Sequence, residues 1–114
     1  MPTLSSMQAQ KTARRKTALS SEPTGAGSLR KEAGKWLQEQ RRNSGLSQMD
    51  LANKIGLKYY TFISQVENGF GRVPSSSMGK WARALGVSPA LFARHLLAYY
   101  DPELYHVLFE EDSL

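Results

Sequence analysis

The 114-residue chain contains no cysteine. Disulfides, thiol nucleophiles and cysteine-ligated zinc or iron–sulfur centres are therefore excluded, and the absence suits a cytoplasmic setting. No apolar run approaches the ~20 residues that a membrane-spanning helix needs, so no membrane partner is expected. The basic residues near the start have no apolar segment behind them. They are not read as a secretory signal, nor Arg14-Arg15 as a twin-arginine export signal. His95 and His106 stand apart, with no second histidine or paired acid at ligand spacing, so no metal is expected. A nucleophile elbow and a phosphate-binding loop are missing. Gly25-Ala26-Gly27 and Gly69-Phe70-Gly71 lack the remaining glycine of a dinucleotide-binding loop. Neither an enzyme nor a cofactor is expected. No segment alternates like a strand.

Acidic residues are also scarce: ten against fifteen lysines and arginines, a formal charge of +5 and a pI near 9.7. Such a balance favours a polyanionic partner. The distribution sharpens this. Residues 1–27 hold Lys11, Arg14, Arg15 and Lys16 against Glu22. Residues 28–98 hold eleven basic side chains against Glu32, Glu39, Asp50 and Glu67. Residues 99–114 hold Asp101, Glu103, Glu110, Glu111 and Asp112 and no lysine or arginine, so this end should face away from a polyanion.

Three segments follow. Residues 1–27, rich in Ser, Thr, Gly, Ala and Gln, read as a disordered basic arm, either a plain solvated tail or a DNA-contacting segment. Residues 28–98 read as an all-α domain of five helices. Residues 99–114 read as an acidic helical tail. The first helix starts with Ser28 as N-cap and runs to Asn43-Ser44-Gly45, with Leu29, Ala33, Trp36 and Leu37 at helical spacing. Ser47-Gln48-Met49-Asp50 opens the second as a capping box, and Gly56 closes it. The third is expected from Lys58 to Asn68, with Tyr59, Phe62, Ile63 and Val66 as its apolar stripe. The fourth is expected from Ser76 to Leu85, with Met78, Trp81, Ala82 and Leu85. Ser88-Pro89 and Asp101-Pro102 each give a cap plus a first-turn proline, starting a fifth and a sixth.

Two short helices joined through a glycine turn, within a basic helical domain, form the pattern of helix-turn-helix DNA binding. The second helix of such a pair enters the major groove, so its outer side must be polar and free of acid. Lys58, Tyr60, Thr61, Ser64 and Gln65 meet that need, with no carboxylate before Glu67. Of Tyr59 and Tyr60, one is expected on the core and Tyr60 outward. Trp36 and Trp81 are expected to pack inside. Arg30, Lys31 and Lys35 read as a solvated face.

The spacing Arg41, Gly45-Leu46-Ser47-Gln48-Met49-Asp50-Leu51-Ala52, Gly56, Ile63-Ser64-Gln65-Val66-Glu67-Asn68-Gly69, Pro74 and Ala82-Arg83-Ala84-Leu85-Gly86-Val87 resembles the Cro/C1 (XRE-type) helix-turn-helix family of bacterial and phage regulators. The resemblance covers residues 34–87. It implies that Tyr60, Thr61, Ser64 and Gln65 face bases. It implies that Gln48, Lys58, Asn68 and Arg72 face the DNA backbone, and that Arg41 and Glu67 form a buried ion pair. Gly56 to Gly69 holds one residue more than the family's usual spacing, around Leu57–Tyr60, and Pro74 to Val87 one fewer.

The expected function is a repressor that binds an inverted repeat in double-stranded DNA as a homodimer, cytoplasmic and associated with a bacterial or phage nucleoid. Phe92, Leu96, Tyr99, Tyr100, Leu104, Tyr105 and Leu108 are candidates for the dimer interface, since this apolar surface exceeds what five short helices need. The other reading is that they extend the same core. An antitoxin-like or adaptor protein, binding a protein partner through its terminal segments, is the alternative function.

Overall fold

The computed structural model describes residues 26–110. The expected basic arm lies outside this range except for its last two residues, as do Glu111 and Asp112 of the acidic tail. Six helices follow one another: α1 (Ala26–Asn43), α2 (Gln48–Lys54), α3 (Thr61–Glu67), α4 (Met78–Leu85), α5 (Pro89–Tyr100) and α6 (Pro102–Phe109). A single 3-10 turn at Ser75–Ser77 leads into α4. Among the described residues there is no strand, and no helix is long and apolar enough to cross a membrane. The architecture is the all-α helix-turn-helix arrangement with a C-terminal helical extension.

The core takes buried side chains from each of α1 to α5, more from α4 than from any other helix. Ala33 and Leu37 of α1 meet Ile63 and Val66 of α3, Trp81, Ala82 and Leu85 of α4, and Phe92 and Leu96 of α5. Leu51, Ala52 and Ile55 bring in α2. Full burial of each large apolar side chain contributes roughly 1.5–3 kcal/mol, and α2 and α3, two turns each, depend on it. Gly34 sets the approach of α1 to α3: a Cβ there would collide with the carbonyl oxygen of Glu67, so only glycine lets the backbones meet.

Boundaries differ from expectation at the helix starts. α1 begins at Ala26, with Ser28 inside the helix. α3 begins at Thr61, three residues later than its spacing suggested. Tyr59, expected on its apolar stripe, lies ahead of the helix and is 66% exposed. Tyr60 is exposed too, so neither tyrosine packs on the core. α4 begins at Met78, with the 3-10 turn taking up Ser76 and Ser77. Trp81 is buried as expected, whereas Trp36 is half-buried and stacks on His95 at 4.0 Å.

The seven expected interface residues divide. Phe92 and Leu96 are 1% and 0% exposed within this chain's own core and offer nothing to a partner. Tyr100 is committed inside the chain, its hydroxyl accepting the Val73 N–H at 3.1 Å. Tyr99 is half-buried beside His95, and Tyr105 packs on Phe109 at 5.1 Å. Leu104 and Leu108 remain openly exposed. They sit on α6, which packs on α5 and buries no residue fully.

Candidate nucleic-acid interface

The two-helix unit is built from its caps. The Ser47 hydroxyl accepts the Asp50 N–H at 2.9 Å, and the Asp50 carboxylate accepts the Ser47 N–H at 3.0 Å. The Ser47 N–H, and after it the Ser47 hydroxyl, hold the Asp50 carboxyl below its ordinary range. At the far end of α2, Gly56 takes a φ of +78°. The Leu57 N–H then reaches back to the Ala52 carbonyl at 2.8 Å, and Leu57 turns onto the core. Residues 58–60 bridge from that cap to α3.

One buried network fixes α1, α2 and α3 together. Arg41 Nε donates to Glu67 Oε2 at 2.7 Å and Nη2 to Oε1 at 3.1 Å. Arg41 Nη1 donates to the Leu46 carbonyl at 2.8 Å. Gln48 Nε2 adds a bond to Glu67 Oε1 at 3.0 Å, and Gln38 a longer one at 3.5 Å. Arg41 and Glu67 are 7% and 5% exposed. The single acid of α3 is thus turned inward and neutralised. Gln48, expected at a phosphate, spends one amide N–H on Glu67 and keeps the other. Gln38 was not anticipated; its place one turn before Arg41 on α1 was the available signal.

With Glu67, Ile63 and Val66 turned inward, the outer side of α3 presents Thr61, Gln65 and the half-buried Ser64. Tyr60 precedes them and Asn68 follows, its amide 3.4 Å from the Ser64 hydroxyl. Lys58 is exposed and lies over the Tyr59 ring at 5.6 Å. Arg72 is held by Tyr100, its guanidinium 4.4 Å from the ring centre. Burial raises the Tyr100 hydroxyl above its ordinary value, opposed by the Val73 N–H bond and by the charges of Arg72 and Arg30. Of the base-facing candidates, Thr61, Ser64 and Gln65 therefore lie on the outer side of α3 with Tyr60 just ahead of it, while Lys58, Asn68 and Arg72 flank the helix and Gln48 stands on α2.

Phe70 was missed. Gly69, at φ +85°, ends α3 as Gly56 ends α2, and the Phe70 N–H bonds to the Gln65 carbonyl at 2.9 Å. The residue after such a glycine usually packs back on the helix. Leu57 does so, but Phe70 is 79% exposed. Among the described residues no three of His, Asp and Glu gather as metal ligands.

A helix-turn-helix family model matches residues 37–92. The crystal structure of the restriction-modification controller protein C.AhdI from Aeromonas hydrophila is similar at a TM-score of 0.50 and 35% sequence identity. That similarity covers 57% of this chain and 96% of the other. No curated protein matches the chain.

Proposed function

We propose that the chain, which belongs to the Cro/C1-type helix-turn-helix family of DNA-binding transcription regulators, represses transcription as a homodimer on an inverted repeat in double-stranded DNA. The observation that carries this is the outer side of α3. It offers Thr61, Ser64 and Gln65 beside Tyr60, while its one carboxylate is buried against Arg41. In the major groove Gln65 pairs with adenine through two hydrogen bonds, and Thr61 touches a thymine methyl. Gln48, Lys58, Asn68 and Arg72 hold phosphates on either side, supplying affinity and salt dependence. Arg41 and Glu67 keep α3 at a fixed angle to α1.

A controller role is supported by the similarity to C.AhdI, itself a controller protein of a restriction-modification system. The homodimer is supported by size, since one such domain reads too few base pairs for a specific site. Exposed Leu104, Val107 and Leu108 on α6 supply an apolar face for it. Half-site centres then lie about one helical turn apart, ~34 Å. The setting is the bacterial or phage nucleoid, in the cytoplasm.

Selection of bound duplexes from a random pool at near-physiological salt tests the proposal. The expected result is an enriched inverted repeat. A single asymmetric site retains DNA reading and removes the symmetric dimer. No enrichment removes specific DNA binding and leaves the adaptor reading, in which the terminal segments take a protein partner.

A further inference from the structure

The first turns of α1 lie against the end of α3. A Cβ on Gly69 would press into the Cα and side-chain stem of Lys31, so the two segments touch at that point. One turn further along α1, Gly34 rests on the carbonyl end of α3. Arg30 is near enough to Tyr100 for its charge to act on the hydroxyl, as that of Arg72 does. Arg30, Lys31 and Arg72 therefore gather around one corner of the molecule, with Phe70 beside them at 79% exposure. Among the described residues none of these three cations has a carboxylate at ion-pair distance, whereas neighbouring Lys35 has Glu32 at 4.0 Å. Three clustered cations, with no acid of the described residues paired to them, and an outward aromatic form a concentrated positive patch at the end of the recognition helix.

We propose that this corner is a second DNA contact: Arg30, Lys31 and Arg72 hold backbone phosphates flanking the bases that α3 reads, and Phe70 packs on the sugars between them. The inference rests on the DNA-binding reading and extends it to α1, whose basic residues looked like a solvated face in the sequence. Polyanion chemistry suits the patch because phosphates recur at regular spacing along a duplex, and each neutralised phosphate releases condensed counterions. Phosphate contacts of this kind add affinity without base preference.

The test is a salt titration of DNA affinity, on a selected duplex and on a random duplex of equal length. Wild type is compared with the double variant Arg30→Gln/Lys31→Met, which keeps the Lys31 stem against Gly69. Each lost phosphate contact lowers the log–log salt slope by about 0.9, so the double variant should lose about two. Its affinity should fall by the same factor on both duplexes. Lys80→Gln, an exposed charge on α4, should change neither quantity. Phe70→Ala should weaken binding several-fold at an unchanged slope, since it removes no charge. Trimming the flanks of the duplex provides a test that needs no variant: wild type should lose about 0.9 for each of the three contacts, and the double variant only the share of Arg72. An unchanged slope in the double variant or on the trimmed duplex overturns the second contact while wild-type binding stands. A wild-type chain that binds neither duplex overturns the DNA-binding reading along with it.

Discussion

Both carboxylate oxygens of Glu67 are occupied, Oε2 by Arg41 Nε and Oε1 by Arg41 Nη2 and Gln48 Nε2. A buried pair of this kind adds little net stability over a well-packed apolar pair, but losing one partner strands the other charge. Arg41→Met is therefore expected to lower unfolding stability by about 3–5 kcal/mol, read from urea denaturation. A loss under 1 kcal/mol would mean that water or Gln38 satisfies Glu67 unaided. Gln65 makes the opposite case, since its side chain is exposed and has little to lose in the free protein. Gln65→Ala should leave the urea midpoint unchanged, cost ~1–3 kcal/mol on the selected site and cost little on random DNA. Equal losses on both duplexes would remove Gln65 from base reading. The two residues also differed in legibility. Gln65 was visible as a polar residue off the apolar stripe. Arg41 and Glu67 lie 26 positions apart, and helical spacing alone offered no way to pair them.

At the level of the helices, ends were easier to read than beginnings. Gly45 and Gly56 were expected to stop helices, and both take φ near +80°, as do Gly69 after α3 and Gly86 after α4. That conformation is costly for any side chain with a Cβ, so the signal lies in the residue itself. The start of α3 carries no such mark. Tyr59 fits the spacing of Phe62, Ile63 and Val66, but spacing is silent on whether the chain before Thr61 is coiled. Leu57 takes the apolar site beside α2, and the following residues must then run outward to reach α3. The stacking of Trp36 on His95 was equally hidden, because it joins α1 to α5, elements far apart in the sequence. It carries a pH dependence. Burial pushes the His95 imidazole below its usual value of 6.5, so the unfolded chain takes up a proton more readily than the folded one. The sign follows: this contribution to stability is full above pH 6.5 and is lost as pH falls from there through the lower folded value. Thermal melts between pH 7.5 and 5 should show a falling midpoint, and His95→Gln should flatten that part of the profile. A profile identical in both proteins would assign the dependence to other groups.

For the whole molecule, the question is what α6 is for. The surplus of apolar residues after the fifth helix was legible in the sequence, but its division was not. Phe92 and Leu96 were spent on the core, because α5 runs alongside both α1 and α4 and turns these two side chains onto them. Asp101 caps α6 through the Leu104 N–H at 3.1 Å, and Pro102 fixes its first turn, so the helix is held in place against α5. Arg94 covers the ring of Phe109 at 4.3 Å, closing one side. Val107 and Leu108 stay 57% and 52% exposed. A side chain so exposed contributes little to the fold of a single chain, yet two such faces brought together remove apolar area from water. Val107→Glu/Leu108→Glu should therefore leave the melting transition of a dilute sample within about 0.5 kcal/mol of wild type. Sedimentation should show a shift from dimer to monomer at micromolar concentration. Binding to an inverted repeat should fall steeply while binding to an isolated half-site holds, because each monomer keeps α3 and its flanking cations. A double variant that still sediments as a dimer and still holds the full repeat would place the dimer contact elsewhere and return α6 to the role of a lid on α5.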